Sequence, residues 1–326
     1  MPKLLANDGI DPIGKKMLEE AGFTVVTEKV AQDQLVEALK GYDAVTVRSA
    51  TKIRKDIIDA CPNIKLIGRG GVGMDNIDVE YARAKGMRVI NTPAASSVSV
   101  AEMAFAHLFA MCRNLAYSNR VMPVEGKEKF NDIKKISSEG FELRGKTLGV
   151  IGFGRIGQET AKIAFGLGMN VLAFDPYVEQ VDLTIYLGET AGSQRIKIPV
   201  KTVSKDELLR KSDFVTLHVP FNEGDKPVIG EPEIAIMKKG AGIVNCARGG
   251  AVSEKALIEA LNSGKIAFAG LDVFEKEPPV DDTLLKHPKV SVSAHVGAST
   301  AEAQEKIGSE LAEKIIDFFA ELGTAR

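Results

Sequence analysis

The chain has 326 residues, of which 44% are hydrophobic and 26% charged, with a formal net charge of −2. That length suits two α/β domains with sizeable cores, and charge spread evenly along the chain excludes a nucleic-acid footprint or a polybasic membrane patch. Cys61, Cys112 and Cys246 are odd in number, widely separated and form no CxxC pair, which argues against a disulfide framework or a cysteine metal site and fits a reducing cytosol.

The opening MPKLLANDG reads directly as a strand with no signal-peptide apolar region, so a cytoplasmic location is expected. Short apolar runs then alternate with helical patterns, as in parallel sheets with crossover helices. Strands are predicted near Lys3–Asn7, Phe23–Val26, Ala44–Val47, Leu66–Gly68 and Met87–Ile90, with helices such as Ile13–Ala21 and Gln32–Leu39 between them. Five such strands suffice for a small doubly wound domain. A long helix is expected next, its start fixed by a capping box of Ser99 and Glu102. Ala101–Cys112 is the most apolar stretch, but it holds Glu102 and His107 and is too short to span a bilayer, so it reads as a buried helix. Phe105, Leu108, Phe109 and Met111 cover more than one face, so it should pack between domains or subunits.

After a polar, Lys-rich connection (Glu125–Lys135), a second set of strands is predicted at Thr147–Ile151, Asn170–Phe174, near Ile198–Thr202, Phe214–Val219, Gly242–Asn245, Ala267–Val273 and Val290–Ser293. A second capping box, Ser299 with Glu302, opens a terminal helix whose apolar stripe is Ile307, Leu311, Ile315, Phe318 and Leu322. So strong a stripe needs a partner surface. The helix is expected to return to the first domain, giving boundaries of 1–98 with 297–326 for one domain and 99–296 for the other, with a hinge and cleft between them.

The run Val150-Ile151-Gly152-Phe153-Gly154-Arg155-Ile156-Gly157 sits between a buried β-branched strand and the helix Gln158–Phe165. A GxGxxG pattern is weak by itself, but this context makes it a dinucleotide site. Gly152 allows the tight turn, Gly154 lets the backbone approach a pyrophosphate, and Gly157 lets helix pack on strand. The helix N-terminus then directs its N–H groups at the phosphates. Asp175 closes the next strand, where a carboxylate accepts hydrogen bonds from a ribose and repels a 2′-phosphate; Pro176 and Tyr177 follow instead of an arginine, so NAD is favoured over NADP.

Three further candidates follow strand ends in the second half, where open α/β sheets place ligands. They are Arg248 in Asn245-Cys246-Ala247-Arg248-Gly249-Gly250, Glu277 in Asp272-Val273-Phe274-Glu275-Lys276-Glu277-Pro278, and His295 in Ser293-Ala294-His295-Val296-Gly297. A guanidinium can hold a carboxylate and polarise the neighbouring oxygen. An imidazole, which titrates near neutral pH, can take a hydroxyl proton as hydride leaves the adjacent carbon. A carboxylate beside it orients the ring and stabilises the imidazolium. Together they are the parts needed to oxidise a 2-hydroxy acid or reduce a 2-oxo acid.

On these residues the chain resembles the D-isomer-specific 2-hydroxyacid dehydrogenase family over essentially its whole length. The resemblance implies two doubly wound parallel-sheet domains, a Rossmann NAD-binding domain inserted into a flavodoxin-like substrate domain. It implies Arg248, Glu277 and His295 as the catalytic set. Gly152, Gly154, Arg155, Ile156, Gly157 and Asp175 would form the NAD fingerprint, with His218, Val219 and Pro220 along the adenosine side. Asp272, Gly297 and the backbone at Cys246 and Ala247 would lie on the nicotinamide side. It also implies a homodimer built around the apolar helix.

Val47-Arg48-Ser49-Ala50-Thr51-Lys52 and Gly68-Arg69-Gly70-Gly71-Val72-Gly73-Met74-Asp75-Asn76 resemble the loops of the branch that acts on phosphoglycerate, a step of serine synthesis. Arg48 and Arg69 would then bind a phosphate, and N–H groups at Gly71 and Val72 a carboxylate. The alternatives are a glyoxylate or hydroxypyruvate reductase and, from another class, a nucleotide-sensing corepressor; retention of all three catalytic residues speaks against the last. Two departures stand out. The segment Val181–Val203 is longer than the family leads one to expect and could form a hairpin of Thr184–Leu187 and Ile196–Val200 around Gly188–Gln194, and Ala294 stands where a proline commonly precedes the histidine. The sequence also stops after the helix ending near Leu322, so serine feedback through an appended regulatory domain is not expected.

Overall fold

Residues 1–188, 193–222 and 224–323 are described by the structure, a computed structural model. They form two compact units, Met1–Ser97 with the segment from Ala298 onward, and Val98–Gly297. In the first, strands β1 (Lys3–Ala6), β2 (Thr24–Val26), β3 (Ala44–Val47), β4 (Leu66–Arg69) and β5 (Arg88–Asn91) alternate with helices α1 (Pro12–Glu20), α2 (Leu35–Leu39), α3 (Lys55–Ala60) and α4 (Val79–Ala84). The strands pair in parallel in the order β2-β1-β3-β4-β5, the flavodoxin-like order. Alternate residues leave opposite faces of a strand, so each face has its own core. Leu5, Val45, Val47, Ile67 and Val89 pack with Leu35, Ile57 and Ile58. Leu4, Ala6, Ala44 and Leu66 pack instead with Leu18 of α1 and with Leu311, Ile315 and Phe319 of the C-terminal helix (Ala301–Glu321).

That helix departs from expectation in two details. Its cap is Thr300, whose hydroxyl accepts a hydrogen bond from the Ala303 N–H at 3.2 Å, and not a Ser299–Glu302 box. Its buried row runs Ile307, Leu311, Ile315, Phe319; Phe318 is only partly covered and Leu322 is 48% exposed. The reason is the fixed i+4 row, which ends on Phe319, edge-on to Phe23 at 5.3 Å. The helix crosses α1 at two glycines. A Cβ on Gly14 would lie 2.4 Å from the Gly308 carbonyl oxygen.

In the second unit, α5 (Ser97–Cys112), α6 (Leu115–Glu125) and α7 (Phe130–Ser137) precede β6 (Thr147–Ile151), α8 (Arg155–Gly166) and β7 (Asn170–Phe174). Then come β8 (Gln180–Leu187), β9 (Gln194–Lys201), α9 (Lys205–Lys211), β10 (Phe214–Leu217), α10 (Glu231–Ile236), β11 (Ala241–Asn245), α11 (Glu254–Ser263), β12 (Ile266–Leu271), α12 (Thr283–Lys286) and β13 (Val290–Val292). Six strands pair in parallel in the order β13-β12-β11-β10-β6-β7. The chain runs from β6 to β7 on one side and resumes with β10 on the other, so the strand order reverses between β6 and β10. Crevices for ligands open at such a switch point.

Three expectations are corrected here. The long helix begins at Ser97, so Ser99 lies inside it and not at its N-terminal boundary. The Lys-rich connection is largely helical: Ile133 is buried at 4% exposure, anchoring α7 by one apolar residue while its lysines stay in water. The strand expected near Ile198–Thr202 does not join the main sheet. It belongs to β9, which pairs antiparallel with β8 from Gln180↔Lys201 to Leu187↔Gln194, and one parallel bridge, Ala173↔Thr202, is its link to β7. The apolar face Val181, Leu183, Ile185 opposes Val200, Ile198, Ile196, and only Leu183 and Val200 are fully buried. The hairpin inferred there is thus longer than expected; residues 189–192 of the proposed Gly188–Gln194 turn lie outside the described residues.

Gly14→Ala should lower stability by about 1–3 kcal/mol, the usual effect of forcing a methyl into a packed contact. Gly166→Ala, with open space at its Cβ position, should not. Thermal denaturation of the two variants checks this, and equal midpoints would contradict the glycine-crossing account.

Candidate active site

The switch point is shaped by glycine. Gly152 follows β6 with φ +90°, and a Cβ there would lie 2.4 Å from the His218 carbonyl oxygen. A Cβ on Gly157 would lie 2.1 Å from the Gly152 carbonyl oxygen, so α8 could not pack on the turn. Gly154 is different: nothing stands within 4 Å of its Cβ position. The protein itself therefore leaves the approach to Gly154 open, immediately before the unpaired N–H groups that open α8 at Arg155 and Ile156. Asp175 directly follows β7; one carboxylate oxygen accepts from the Phe153 N–H at 2.8 Å and the other from the Tyr177 N–H at 2.9 Å. Each oxygen keeps a second lone pair for a hydroxyl. An open glycine turn, a helix N-terminus and a carboxylate one strand away are the donor and acceptor set that a dinucleotide's pyrophosphate and ribose require.

After β10, the His218 ring nitrogen Nε2 lies 3.1 Å from the Thr160 hydroxyl and 3.2 Å from the Thr216 hydroxyl. Burial drives its pKa down to about 3, so the ring is neutral and acts as a fixed strut between α8 and β10. Val219 lies against Gly152, and Pro220 is exposed.

Arg248, Glu277 and His295 stand on loops after β11, β12 and β13, three adjacent strands. His295 Nδ1 is 2.7 Å from a Glu277 carboxylate oxygen. A carboxylate only accepts, so Nδ1 carries the proton and Nε2 presents a lone pair. Among the described residues Nε2 has no hydrogen-bond partner. The side chains of His295 and Glu277 are 38% and 37% exposed, open enough to meet a small molecule. Arg248 lies close enough for its charge to act on Glu277, and its guanidinium donates to the Ala247 carbonyl at 2.7 Å. Asn245 holds that loop, donating to the Arg248 carbonyl and accepting from the Ala247 N–H. A Cβ on Gly249 would lie 1.7 Å from the Phe274 carbonyl oxygen, so the Arg248 loop rests on the Glu277 loop.

Asp272 holds the third loop. It is 1% exposed, and its carboxylate accepts from the N–H groups of Val296 (2.9 Å) and Gly297 (2.8 Å) and from the Ser293 hydroxyl (2.5 Å). Its carbonyl accepts from the His295 N–H at 2.8 Å. Cys246 is buried, and burial together with the Asp272 charge pushes its thiol well up, so only its backbone is available for contact.

In the first unit, Arg48 follows β3 and Arg69 closes β4, with Gly71 and Val72 on the loop beyond. Asp8 fixes the Arg48 loop, accepting from the N–H groups of Arg48 and Thr51 and from the Thr51 hydroxyl, and Asn76 donates to the carbonyls of Arg48 and Thr51. Gly71 has φ +139°, and a Cβ there would overlap the Arg69 guanidinium. Asp8 escaped sequence reasoning because nothing in its spacing marks it, and Asn76 did so although it closes the glycine-rich motif quoted above. Asn245 and Ser293 escaped it too, although each lies within a motif already singled out.

A doubly wound sheet with this glycine turn at its switch point defines a dinucleotide-binding domain. Residues 105–297 match the family model described as "D-isomer specific 2-hydroxyacid dehydrogenase, NAD binding domain". The chain belongs to the D-isomer specific 2-hydroxyacid dehydrogenase family, and the cofactor of that domain is NAD. It is 44% identical to D-3-phosphoglycerate dehydrogenase of Methanocaldococcus jannaschii over 97% of its own length and 57% of the relative's. It is 45% identical to hydroxypyruvate reductase of Thermotoga maritima over 96% of its own length and 97% of that protein's. The chain thus spans little more than half the length of the first relative and nearly all of the second. Among solved structures, a glyoxylate reductase from Paecilomyes thermophila superposes with a TM-score of 0.82 at 29% identity, covering 100% of this chain and 97% of that one. No helix among the described residues is long and apolar enough to cross a membrane.

Burial alone would raise the Glu277 carboxyl, but the hydrogen bond and charge of His295, the Phe274 N–H and the Arg248 charge outweigh it and hold the pKa below the ordinary 4.5. A depressed pKa means that the group's contribution to stability is complete above the unfolded value and is lost as pH falls through the folded one. Glu277→Gln should therefore flatten the loss of stability on the acid side of pH 4.5. Urea denaturation of variant and wild type across that range reads the difference, and parallel curves would count against the pairing.

Proposed function

We propose that the protein oxidises D-3-phosphoglycerate to 3-phosphohydroxypyruvate, a step that supplies serine synthesis. The hydrogen bond between His295 Nδ1 and Glu277 supports the dehydrogenase part of this reading above all, because it leaves Nε2 as an oriented base. His295 takes the C2 hydroxyl proton at Nε2, and Glu277 stabilises the imidazolium that results. Arg248 clamps the substrate carboxylate and polarises the C2 oxygen. Bound NAD would supply the hydride acceptor for C2. Gly152, Gly154, Arg155, Ile156 and Gly157 hold its pyrophosphate through their backbone, Asp175 its ribose, and His218, Val219 and Pro220 line its adenosine side. Asp272, Gly297 and the backbone at Cys246 and Ala247 lie on its nicotinamide side. Arg48 and Arg69 take the phosphate of the substrate, while N–H groups at Gly71 and Val72 take its carboxylate. The phosphoglycerate relative supports this assignment in part.

A second reading is reduction of hydroxypyruvate, favoured by the equally similar Thermotoga relative that matches along its whole length. The chain acts as a homodimer in either case, a reading supported by Phe109, Leu115, Met122 and Phe130, which α5, α6 and α7 leave exposed.

A substrate panel with NAD separates the two readings. Arg48→Ala and Arg69→Ala should each raise KM for D-3-phosphoglycerate about tenfold or more, the effect of one lost charged hydrogen bond, and leave hydroxypyruvate turnover nearly intact. Equal losses on both substrates would end the phosphate assignment. Gly154→Ala should weaken NADH binding about tenfold or more without moving the thermal midpoint, since its methyl would meet ligand and not protein. Unchanged affinity would remove the pyrophosphate from that turn.

A further inference from the structure

Behind the His295 loop lies a row of polar side chains that the proposed chemistry does not use. His107, in the most apolar part of α5, is 3% exposed. Its Nδ1 is 2.9 Å from the Ser291 hydroxyl and its Nε2 is 3.0 Å from the Ser293 hydroxyl. Ser293 is in turn 2.5 Å from the Asp272 carboxylate. Gly270 makes room for the ring: a Cβ there would lie 2.5 Å from the His107 Cβ. All of these residues lie within Val98–Gly297.

The proton positions in this row follow from its end. The Asp272 carboxylate only accepts, so the Ser293 O–H must point at it. The Ser293 oxygen is then left as an acceptor, and His107 must donate to it from Nε2. Burial lowers the His107 pKa, against the smaller opposing effect of the Asp272 charge, so the ring is neutral. With its proton on Nε2, Nδ1 accepts from the Ser291 O–H. Every member thus has one direction, from Ser291 through His107 and Ser293 to Asp272, and chains of this kind reinforce one another.

What this row terminates on is the segment that bears His295. The Asp272 carboxylate and carbonyl together hold the N–H groups of His295, Val296 and Gly297. His295 itself has φ +53°, a left-handed conformation that persists in a non-glycine residue only when its surroundings impose it.

We propose that His107 is a positioning residue for His295: through Ser293 it fixes the Asp272 carboxylate that keeps the His295 loop in its left-handed turn. This rests on the dehydrogenase reading of His295. His107 touches no reacting atom, so its loss should misplace the base and leave binding of the hydroxy acid intact.

His107→Leu and Ser293→Ala should each lower kcat about tenfold, with KM for the hydroxy acid changed by less than about twofold. The double variant should be no slower than the slower single one, because both break the same chain. His107→Gln can accept from Ser291 through Oε1 and donate to Ser293 through Nε2, so it should recover kcat to within about threefold of wild type. Wild-type kcat in both His107→Leu and Ser293→Ala would overturn the proposal. So would a His107→Gln variant that falls as far as His107→Leu in step with the thermal midpoint.

Imidazole ¹⁵N NMR provides a readout independent of turnover. In the wild type, His107 should show a protonated Nε2 and an unprotonated Nδ1, and Ser293→Ala should shift both His107 and His295 resonances. An Nδ1–H tautomer, or a His295 signal unmoved by Ser293→Ala, would refute the chain even if no 2-hydroxy acid were a substrate. Inactivity of the wild type on every 2-hydroxy acid, with the NMR pattern as expected, would instead refute the dehydrogenase reading alone.

Discussion

Keeping an L-residue in the left-handed region costs roughly 1–3 kcal/mol, and the arrangement around His295 exists because Asp272 offsets that cost. One buried side chain and its own carbonyl satisfy three consecutive backbone donors. The turn aims the imidazole at Glu277, and the 2.7 Å hydrogen bond there decides which ring nitrogen is left basic. The geometry of the pair is therefore set by backbone hydrogen bonding behind the loop, more than by the two side chains themselves.

The nucleotide side depends on a different constraint, the removal of side-chain bulk. Gly152 and Gly157 are required by the protein's own atoms, since a Cβ on either would enter a backbone carbonyl. Gly154 is not required in that way. Folding therefore accounts for the outer two glycines of the motif, and only an approaching ligand, as proposed above, would account for the middle one. Electrostatics adds to this, because the N–H groups opening α8 favour negative charge while the Asp175 carboxylate favours hydrogen-bond donors.

Much of this was legible in the sequence, for physical reasons. Buried parallel strands read as continuous apolar runs, so Ala44–Val47, Thr147–Ile151 and Asn170–Phe174 stand where the pattern puts them. Arg248, Glu277 and His295 stood out because each follows the end of such a run. Helix starts were less legible: Ser99 and Ser299 each satisfy a capping pattern, yet each lies a residue or two from the true boundary, and at the C-terminal helix it is Thr300 that has the extended backbone a cap requires. The strand near Ile198 was misplaced because alternation reports a half-buried strand without naming its partner. Asp272 as a scaffold, and His107 behind it, were hidden for a further reason. Their meaning lies in hydrogen bonds between residues far apart in the chain, and a lone polar residue in an apolar helix gives no sign of what it faces.

The crossing of Gly14 with Gly308 bears on how the chain is made. One face of the first sheet, through Leu4, Ala6, Ala44 and Leu66, is covered partly by a helix that begins at Ala301. A ribosome delivers the whole of Val98–Gly297 before that cover, and domains generally fold as units during synthesis, in the order in which they become complete. The inserted unit is complete first, so Met1–Ser97, although made before it, close their core after it, and in the interval their apolar face is exposed to chaperones and to aggregation.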